Sequence, residues 1–229
     1  MSVGVLIDES IKIPPDIDSL EKFRQWTRSP DFPEKGRIDY IRGVIEVELM
    51  PERMSHGEVK VEIARVVANR VRQGRLGKVL VDSTRVSSPT TNLSCEPDVL
   101  VLLRKSIDRG EVTFIPSADN TNDPIEIVGG PDLVVEIISP HSVSKDTYRL
   151  PSAYFEAGVR EYWLVDARRE ELQFQIFRRG EGEFVNADVD EEGFQISGVL
   201  ERSYRLTRQR ESFEEWWFDL EERMIGTVP

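Results

Sequence analysis

The sequence contains a single cysteine, Cys95, and only two histidines among its 229 residues. One thiol excludes an internal disulfide framework and is typical of a reducing compartment. No apolar run approaches the roughly 20 residues that a membrane-spanning helix needs. The first residues lack the basic segment and apolar stretch of a secretory signal. We therefore expect a cytoplasmic protein.

Positive charge is also scarce, since 30 basic residues face 42 acidic ones and the formal net charge is −12. Proteins that bind nucleic acid without specificity draw affinity from clustered lysine and arginine, so this balance argues against that class. It does not exclude a local basic surface. The first long predicted helix and its exit carry six cations, which form either a track for a phosphate backbone or a solvated helix face: Lys60, Arg65, Arg70, Arg72, Arg75 and Lys78.

No internal repeat, low-complexity tract or linker divides the chain. We predict one domain over residues 1–229, with an N-terminal extension at 1–35, a core at about 37–187 and a C-terminal extension with a helix at 188–229. A helix, several strands, a second helix and a further strand follow one another in the core. This order predicts an α/β (α+β) fold, in which a mixed β-sheet is flanked by helices.

Hydrophobic periodicity and end signals locate the individual elements. Residues 105–123 are predicted to be a polar, irregular insertion. The predicted helices are 19–28, capped by Asp18 or Ser19; a long helix opened by a capping box of Ser55 and Glu58 and ended by Gly74 and Gly77; 145–157; and 212–223, opened by Ser212 and Glu215. The predicted strands are a hairpin at 37–50 that turns at Arg42 and Gly43, then 78–82, 85–87, 98–103, 132–139, 161–165, and an antiparallel pair at 172–178 and 184–187.

Glu136 is the most informative residue, because it interrupts the apolar run VVEII at 134–138. That run is apolar enough for a central strand buried on both faces. An unpaired carboxylate costs several kcal/mol to bury there. Glu136 is therefore expected to have a partner, either an arginine from a facing helix or a metal ion.

Asp98 follows Pro97 at the start of another apolar strand, residues 99–103. Taken alone, a Pro-Asp pair is ordinary turn chemistry. If the two strands are neighbours, however, Asp98 and Glu136 converge on one cation. Mg²⁺ is typically held by one or two carboxylates together with water and substrate phosphate. Such an ion polarises a phosphodiester and supplies a hydroxide nucleophile.

Several segments of the chain resemble the Uma-type putative restriction endonuclease family, a bacterial group of the PD-(D/E)XK nuclease superfamily. The resemblance covers roughly residues 20–185, and the stretch from 136 to 166 is the most specific. The matching segments are EPDVLV at 96–101, DLVVEIISP at 132–140, Asp146, Tyr154, GVREYWLVD at 158–166, the hairpin DYIRGVI at 39–45 and the helix-opening His56.

The resemblance implies a restriction-endonuclease-like core, dependence on Mg²⁺ or Mn²⁺, DNA as substrate and action as a homodimer. It also implies the metal ligands, which are Asp98, Glu136 and the backbone carbonyl of Ile137.

The superfamily lysine is missing from its expected position two residues after the second acid, where Ile138 stands. In the family a lysine instead follows the aspartate that matches Asp146 by four residues, but here that position is Leu150. Pro151 comes next, so this helix is expected to begin later or to kink. The lysine's expected role is to orient or activate the attacking water and to offset developing charge.

Two basic residues are candidates for the missing role, Lys145 and Arg149, although neither has the matching register. The hairpin departs from the family pattern as well, with Asp39 in place of glutamate and Arg42 in place of aspartate. These departures leave two hypotheses of different classes. One is a metal-dependent DNA endonuclease weakened by the lost lysine. The other is a non-catalytic module that keeps the fold to bind a nucleic acid or a protein.

The two histidines are further candidates, each with an ordinary alternative. His56 is either a catalytic-site residue or a polar residue in the first turn of its helix. His141 either reaches a phosphate from the loop after the central strand or is a solvated loop residue. Cys95 has no second thiol to pair with and is expected to be inert.

Overall fold

The computed structural model describes residues 11–49, 52–117, 120–210 and 216–226. Within these residues the chain forms four α-helices and fifteen strands. The helices are α1 Leu20–Thr27, α2 Met54–Gln73, α3 Arg104–Asp108 and α4 Leu150–Glu156. The strands are β1 Arg37–Ile41, β2 Val44–Glu48, β3 Gly77–Val81, β4 Arg85–Ser88, β5 Leu93–Cys95, β6 Val99–Leu103, β7 Thr113–Pro116, β8 Pro124–Val128, β9 Leu133–Ile137, β10 Glu161–Asp166, β11 Gln173–Arg179, β12 Phe184–Asn186, β13 Gln195–Ser197, β14 Arg202–Arg210 and β15 Trp216–Arg223.

The central sheet has the strand order β12-β11-β10-β9-β6-β3. Its middle strands β6 and β9 are buried along their whole length, as their apolar sequences predict. β9 runs parallel to β10, and α4 lies in the connection between them, whereas β6 and β9 pair antiparallel with Val99 opposite Val135. The next positions outward are Asp98 and Glu136, which makes the two acids cross-strand neighbours at one end of the sheet.

The pleat puts both acids on the same face of that sheet. Side chains alternate along a strand, so Asp98 shares a face with Leu100, and Glu136 shares one with Val134. Leu100 and Val134 belong to the same hydrophobic cluster, together with Leu150 and Tyr154 of the α4 segment. The opposite face packs against α2 and the C-terminal sheet of β13, β14 and β15.

A second six-stranded sheet, ordered β2-β1-β5-β4-β8-β7, carries the hairpin to the acid end of the central sheet. Arg42 and Gly43 both have positive φ, 52° and 91°, which is the backbone of the tight hairpin turn expected there. α1 covers β1, and their aromatic and aliphatic side chains form a separate cluster: Leu20, Phe23, Trp26, Ile38 and Tyr40. The side chain of Ser19 accepts a hydrogen bond from the Lys22 N–H, so Ser19 is the N-cap.

The N-cap of α2 lies two residues earlier than predicted, and the capping box of Ser55 and Glu58 is wrong. Arg53 occupies the N-cap position, without a side-chain hydrogen bond, and Ser55 lies inside the helix. Gly74 ends the helix as expected. The apolar stripe predicted for this helix is buried, including Val59, Ile63 and Val67.

A π-helical turn over Lys145–Arg149 precedes α4, which explains how the chain accommodates Pro151. Proline lacks the N–H that an α-helix interior needs and crowds the preceding turn. Here the Leu150 N–H donates to the Lys145 carbonyl five residues back, which widens the turn. The predicted helix at 145–157 therefore has an irregular first half.

Two further predictions are corrected by the structure. The segment 105–123 is not simply irregular. It contains most of α3, which begins at Arg104, and all of β7. The predicted closing helix at 212–223 is wrong, because Trp216–Arg223 is β15, paired antiparallel with β14. The proposed caps Ser212 and Glu215 lie outside the described residues. None of the described helices is both long and apolar enough to cross a bilayer.

Candidate metal centre

Asp98 and Glu136 meet in the structure, and each is fixed through one carboxylate oxygen. Asp98 Oδ2 accepts the Ile137 backbone N–H at 2.7 Å. Glu136 Oε1 accepts the Tyr154 hydroxyl at 2.6 Å. Only 1% of the Asp98 side chain and none of the Glu136 side chain is exposed to solvent. The sequence thus brings two buried acids together by placing them at the same end of adjacent strands.

Arg37, the first residue of β1, spans both acids with its guanidinium group. Nη2 lies 3.0 Å from Glu136 Oε2 and Nη1 lies 3.4 Å from Asp98 Oδ1. Nε lies 3.4 Å from Asp39 Oδ2. Burial works against the charged guanidinium, but the surrounding carboxylates, Glu136 foremost, outweigh it and raise the pKa of Arg37 well above its usual value. The side chain is a permanent cation at the acid pair.

Lys145 reaches the same cluster from the π-helical turn. Its Nζ donates to Asp39 Oδ2 at 3.0 Å and lies 3.8 Å from Glu48 Oε2. Burial opposes the charge of Lys145, but Asp39 and other nearby acids prevail, and the pKa of Lys145 is raised. The other candidate cation, Arg149, points away and pairs with Glu46 at 2.8 Å. Of the two, only Lys145 joins the acid cluster.

His56 lies at the mouth of the centre, on the first turn of α2. Its Nε2 is 2.8 Å from the Ile137 carbonyl oxygen. A carbonyl only accepts, so Nε2 carries a proton and donates. Nδ1 then faces Glu52 Oε2 at 3.2 Å, yet it has no hydrogen-bond partner among the described residues. Donation of one ring N–H to a backbone carbonyl while the other nitrogen is left open is the arrangement of metal-binding histidines.

Lys60, one turn further along α2, links the rim to the acid pair. It donates to Glu52 and Asp82, both at 2.8 Å, and lies 3.4 Å from Asp98 Oδ1. One atom each from Glu52, His56 and Asp98 lies within 4.8 Å of the others, a grouping compatible with a bound metal ion. Asp98 is therefore close to two cations, Arg37 and Lys60, and Glu136 is close to Arg37.

Burial and mutual repulsion separate the pKa values of the acids. Desolvation raises the pKa of Glu136, and Asp98 adds to that rise, while Arg37 opposes it. Desolvation and the charge of Glu136 raise the pKa of Asp146 well above its usual range. Asp39 is also desolvated, but Lys145 and Arg37 outweigh burial and lower its pKa. The centre thus favours the ionised form of Asp39 and disfavours negative charge on Glu136 and Asp146 together.

An open cleft lies above the buried acids. Its lining includes Arg37, Glu48, Glu52 and His56. A neighbouring hollow shares Arg37 and adds Lys145 and His141, whose side chain is exposed in the loop after β9. The second histidine thus borders the cleft without touching the acid pair.

The oxygen atoms at this centre are suitable ligands for a hard divalent cation. Each strand acid has one oxygen held in place by a protein donor. Its second oxygen faces the Arg37 guanidinium, and in Asp98 it faces Lys60 as well. The Ile137 carbonyl accepts the proton of His56 Nε2 and keeps a second lone pair. Carboxylate and carbonyl oxygens are the ligands that Mg²⁺ and Ca²⁺ prefer. Arg37 stands where a cation is expected.

Sequence reasoning missed Arg37, Lys60 and Glu52 as members of the centre. The resemblance covered Asp39 and Asp146 but did not assign either residue a contact. Arg37 is separated from its partners by 61 and 99 residues along the chain. A usable signal for Lys60 was its place one helical turn after His56, on the same face of α2.

The mixed, helix-flanked sheet and its paired strand acids define the class, which is a restriction-endonuclease-like α/β protein. The Uma2 family, described as a putative restriction endonuclease, matches residues 20–209. The chain belongs to this family, as the resemblance indicated.

One solved structure supports the fold independently. It is described as a putative nuclease belonging to DUF820 from Anabaena variabilis ATCC 29413. The two structures superpose with a TM-score of 0.60 over 80% of this chain and 90% of the other, at 18% sequence identity. At that identity the likeness speaks for the fold alone. No curated protein matches the sequence.

Proposed function

We propose that this protein hydrolyses phosphodiester bonds in DNA with the help of a divalent ion, Mg²⁺ or Mn²⁺. The ion would be held by Asp98, Glu136 and the Ile137 carbonyl, with His56 beside them. The observation that carries the proposal is the convergence of two buried acids from adjacent strands on one cationic group. When bound, a divalent ion polarises the phosphodiester and lowers the pKa of a coordinated water.

Lys145 is the candidate for the role of the missing superfamily lysine. Because nearby acids raise its pKa, it carries its charge at neutral pH and cannot accept a proton. Its role in the proposed reaction is to stabilise negative charge on the phosphoryl oxygens. Asp39 orients the ammonium group through the 3.0 Å contact.

The proposed role of His56 is to hold one metal ligand in place. Its Nε2–H holds the Ile137 carbonyl in place, and its Nδ1 is open toward the cleft rim beside Glu52. In this arrangement the ring steadies one proposed ligand and offers a nitrogen of its own.

The proposal is tested with Asp98→Asn and Glu136→Gln, which keep side-chain size and remove charge. Mn²⁺ binding is measured by calorimetry, and nicking of a supercoiled plasmid is measured with Mn²⁺, with Mg²⁺ and with a chelator. Both variants should lose metal affinity and nicking, while Asp108→Asn on exposed α3 should behave as wild type. Unchanged metal affinity in both acid variants would remove the basis for the enzyme.

A second candidate function is a non-catalytic module that binds nucleic acid. It is favoured by cations at the far end of α2 and on α3, which have no acidic partner within the described chain: Arg72, Arg75, Arg104 and Lys105. The missing superfamily lysine supports it as well. Binding of duplex DNA that persists in chelator, with no nicking under any metal, would decide for the module.

The family resemblance leads us to expect that two copies of the chain associate. Two active centres can cut both strands of a duplex at one locus in a single binding event, so a homodimer suits an endonuclease. Molar mass by light scattering, with and without a DNA duplex, checks this expectation.

A further inference from the structure

Arg37 is more exposed than the two acids that it contacts. Its side chain is 21% exposed, against 1% for Asp98 and none for Glu136. It also lines both hollows of the cleft, on the side from which a substrate or ion would arrive. Anything that approaches the second oxygens of the acids meets the guanidinium first.

The two oxygens of each acid are held in different ways. Asp98 Oδ2 and Glu136 Oε1 accept short hydrogen bonds of 2.7 and 2.6 Å from the Ile137 N–H and the Tyr154 hydroxyl. Of the other two oxygens, Glu136 Oε2 faces Arg37 at 3.0 Å, and Asp98 Oδ1 lies 3.4 Å from both Arg37 and Lys60. The donors that position the acids are therefore independent of Arg37. If the guanidinium leaves, the carboxylates keep their places: Glu136 Oε2 loses its cation, and Asp98 Oδ1 keeps only Lys60 beside it.

The hold on the guanidinium itself is loose. Its contact with Asp98 is long, and Nε, at 3.4 Å from Asp39, has no hydrogen bond of good geometry among the described residues. A permanently structural arginine is expected to make bidentate contacts below 3 Å to its carboxylates. Arg37 instead shares its charge among three acids, with one hydrogen bond of 3.0 Å to Glu136 and one long bond of 3.4 Å to Asp98.

We propose that Arg37 is an exchangeable internal cation, which neutralises Asp98 and Glu136 in the metal-free protein and leaves them for the cleft when a divalent ion binds. In the cleft its guanidinium then pairs with a phosphate of the substrate. Arg37 thereby sets the metal affinity of the resting protein and becomes a substrate-binding residue after the exchange. The inference rests on the proposed metal site and deepens it.

Exchange makes a prediction that a purely structural role does not. A ligand that must first displace a competitor shows a weakened apparent affinity, so removal of the competitor tightens metal binding. Loss of the same guanidinium weakens the hold on substrate phosphates. The two affinities should move in opposite directions, whereas general damage to the site would lower both.

The test uses Arg37→Met, with Mn²⁺ affinity measured by calorimetry and binding of a short DNA duplex measured in Ca²⁺. We expect Mn²⁺ to bind about tenfold more tightly or better and the duplex about tenfold more weakly. Arg42→Met, at the turn of the same hairpin and paired with exposed Glu156, is the matched control and should change neither. Arg37→Gln keeps two N–H donors without charge, and replaces the methionine variant if that one does not fold.

The outcomes separate this inference from the proposed function. If wild type binds Mn²⁺ through Asp98 and Glu136 but the Arg37 variants bind it equally or more weakly, exchange is refuted and the metal site stands. If the variants gain Mn²⁺ affinity without losing duplex affinity, the substrate contact is refuted. If neither wild type nor the variants bind Mn²⁺, the proposed function and the exchange fall together.

Discussion

At the scale of single residues, the pairing of Lys145 with Asp39 is the contact whose loss should cost most. Both side chains are almost completely buried. Removal of one partner from a buried ion pair leaves an uncompensated charge and typically costs about 3–5 kcal/mol. Lys145→Met should therefore lower the free energy of unfolding by about 3 kcal/mol, because Arg37 still offers Asp39 a weaker partner.

Urea unfolding followed by circular dichroism measures this loss, and two variants bracket it. Arg149→Met removes the pair with Glu46, in which 48% of the Arg149 side chain is exposed to solvent, and should cost less than about 1 kcal/mol. The double variant Asp39→Asn/Lys145→Met should recover part of the loss, since it removes both charges. A double variant no more stable than Lys145→Met would contradict the ion-pair explanation.

The acids of the centre could be found in the sequence, but their cations could not. A glutamate inside a strand as apolar as residues 133–137 is anomalous by itself, so a partner for the Glu136 carboxylate can be expected from the sequence. Arg37 is the first residue of a hairpin strand, where an arginine is unremarkable. Its role depends on the packing of two sheets against each other, and no local pattern encodes that packing.

At the scale of elements, α1 is fastened to the second sheet through Glu126 of β8. Arg24 Nε and Arg28 Nη1 donate to its two oxygens at 2.6 and 2.9 Å. Burial alone would raise the pKa of Glu126, but the hydrogen bonds and charges of the arginines outweigh it, and the pKa is lowered. A carboxyl with a lowered folded pKa adds stability above its unfolded value, and that stability is lost as the pH falls through the folded value.

Glu126→Gln should therefore destabilise the protein at pH 7 by about 2–3 kcal/mol. The gap between variant and wild type should shrink as the pH falls from about 4.5 toward the lowered pKa. Urea unfolding at pH 7 and at successively lower pH measures it. Glu21→Gln, an exposed acid on α1, is the control and should show little effect at either end. A gap that stays constant with pH would mean that charge contributes nothing to this link.

The surroundings of Leu150 in α4 determine whether a lysine can be introduced at position 150. Leu150 is fully buried and packs with Ile41, Leu93 and Tyr154. A lysine there would place an ammonium among apolar side chains, so Leu150→Lys should unfold the protein or cost at least about 3 kcal/mol, without new nicking activity. Arg149→Lys is the exposed neighbour for comparison. Wild-type stability with increased nicking would show that position 150 reaches the acids after all.

Local sequence patterns predicted most helices and strands, but they failed where a strand is defined by pairing with another part of the chain. The central strands, the hairpin and α2 were predictable because burial imposes its period on the sequence. β15 was mistaken for a helix because Ser212 and Glu215 resemble a capping box. Phe218 and Leu220 are buried and Trp217 is exposed, a period of two that becomes visible only once β14 is known to lie alongside.

At the scale of the whole molecule, the charges are segregated. The acid centre lies at the start of α2, and His56 and Arg72 are sixteen residues apart on that helix, which corresponds to about 24 Å. At the far end β3 pairs with β6, and the Arg104 N–H donates to the Leu76 carbonyl, so the end of α2 and the start of α3 are neighbours. The exposed cations gathered there lie in a chain of net charge −12.

If this far end holds duplex phosphates while the cleft receives the reacting strand, charge reversal there should weaken binding without touching the metal site. Arg72→Glu/Arg104→Glu should lower duplex affinity at least about tenfold and reduce the slope of log affinity against log salt by about 2. Mn²⁺ affinity should stay at the wild-type value. The double variant Arg42→Glu/Arg178→Glu changes the net charge equally at other exposed positions. Equal losses in both double variants would mean that only total charge matters, and that the far end holds no DNA.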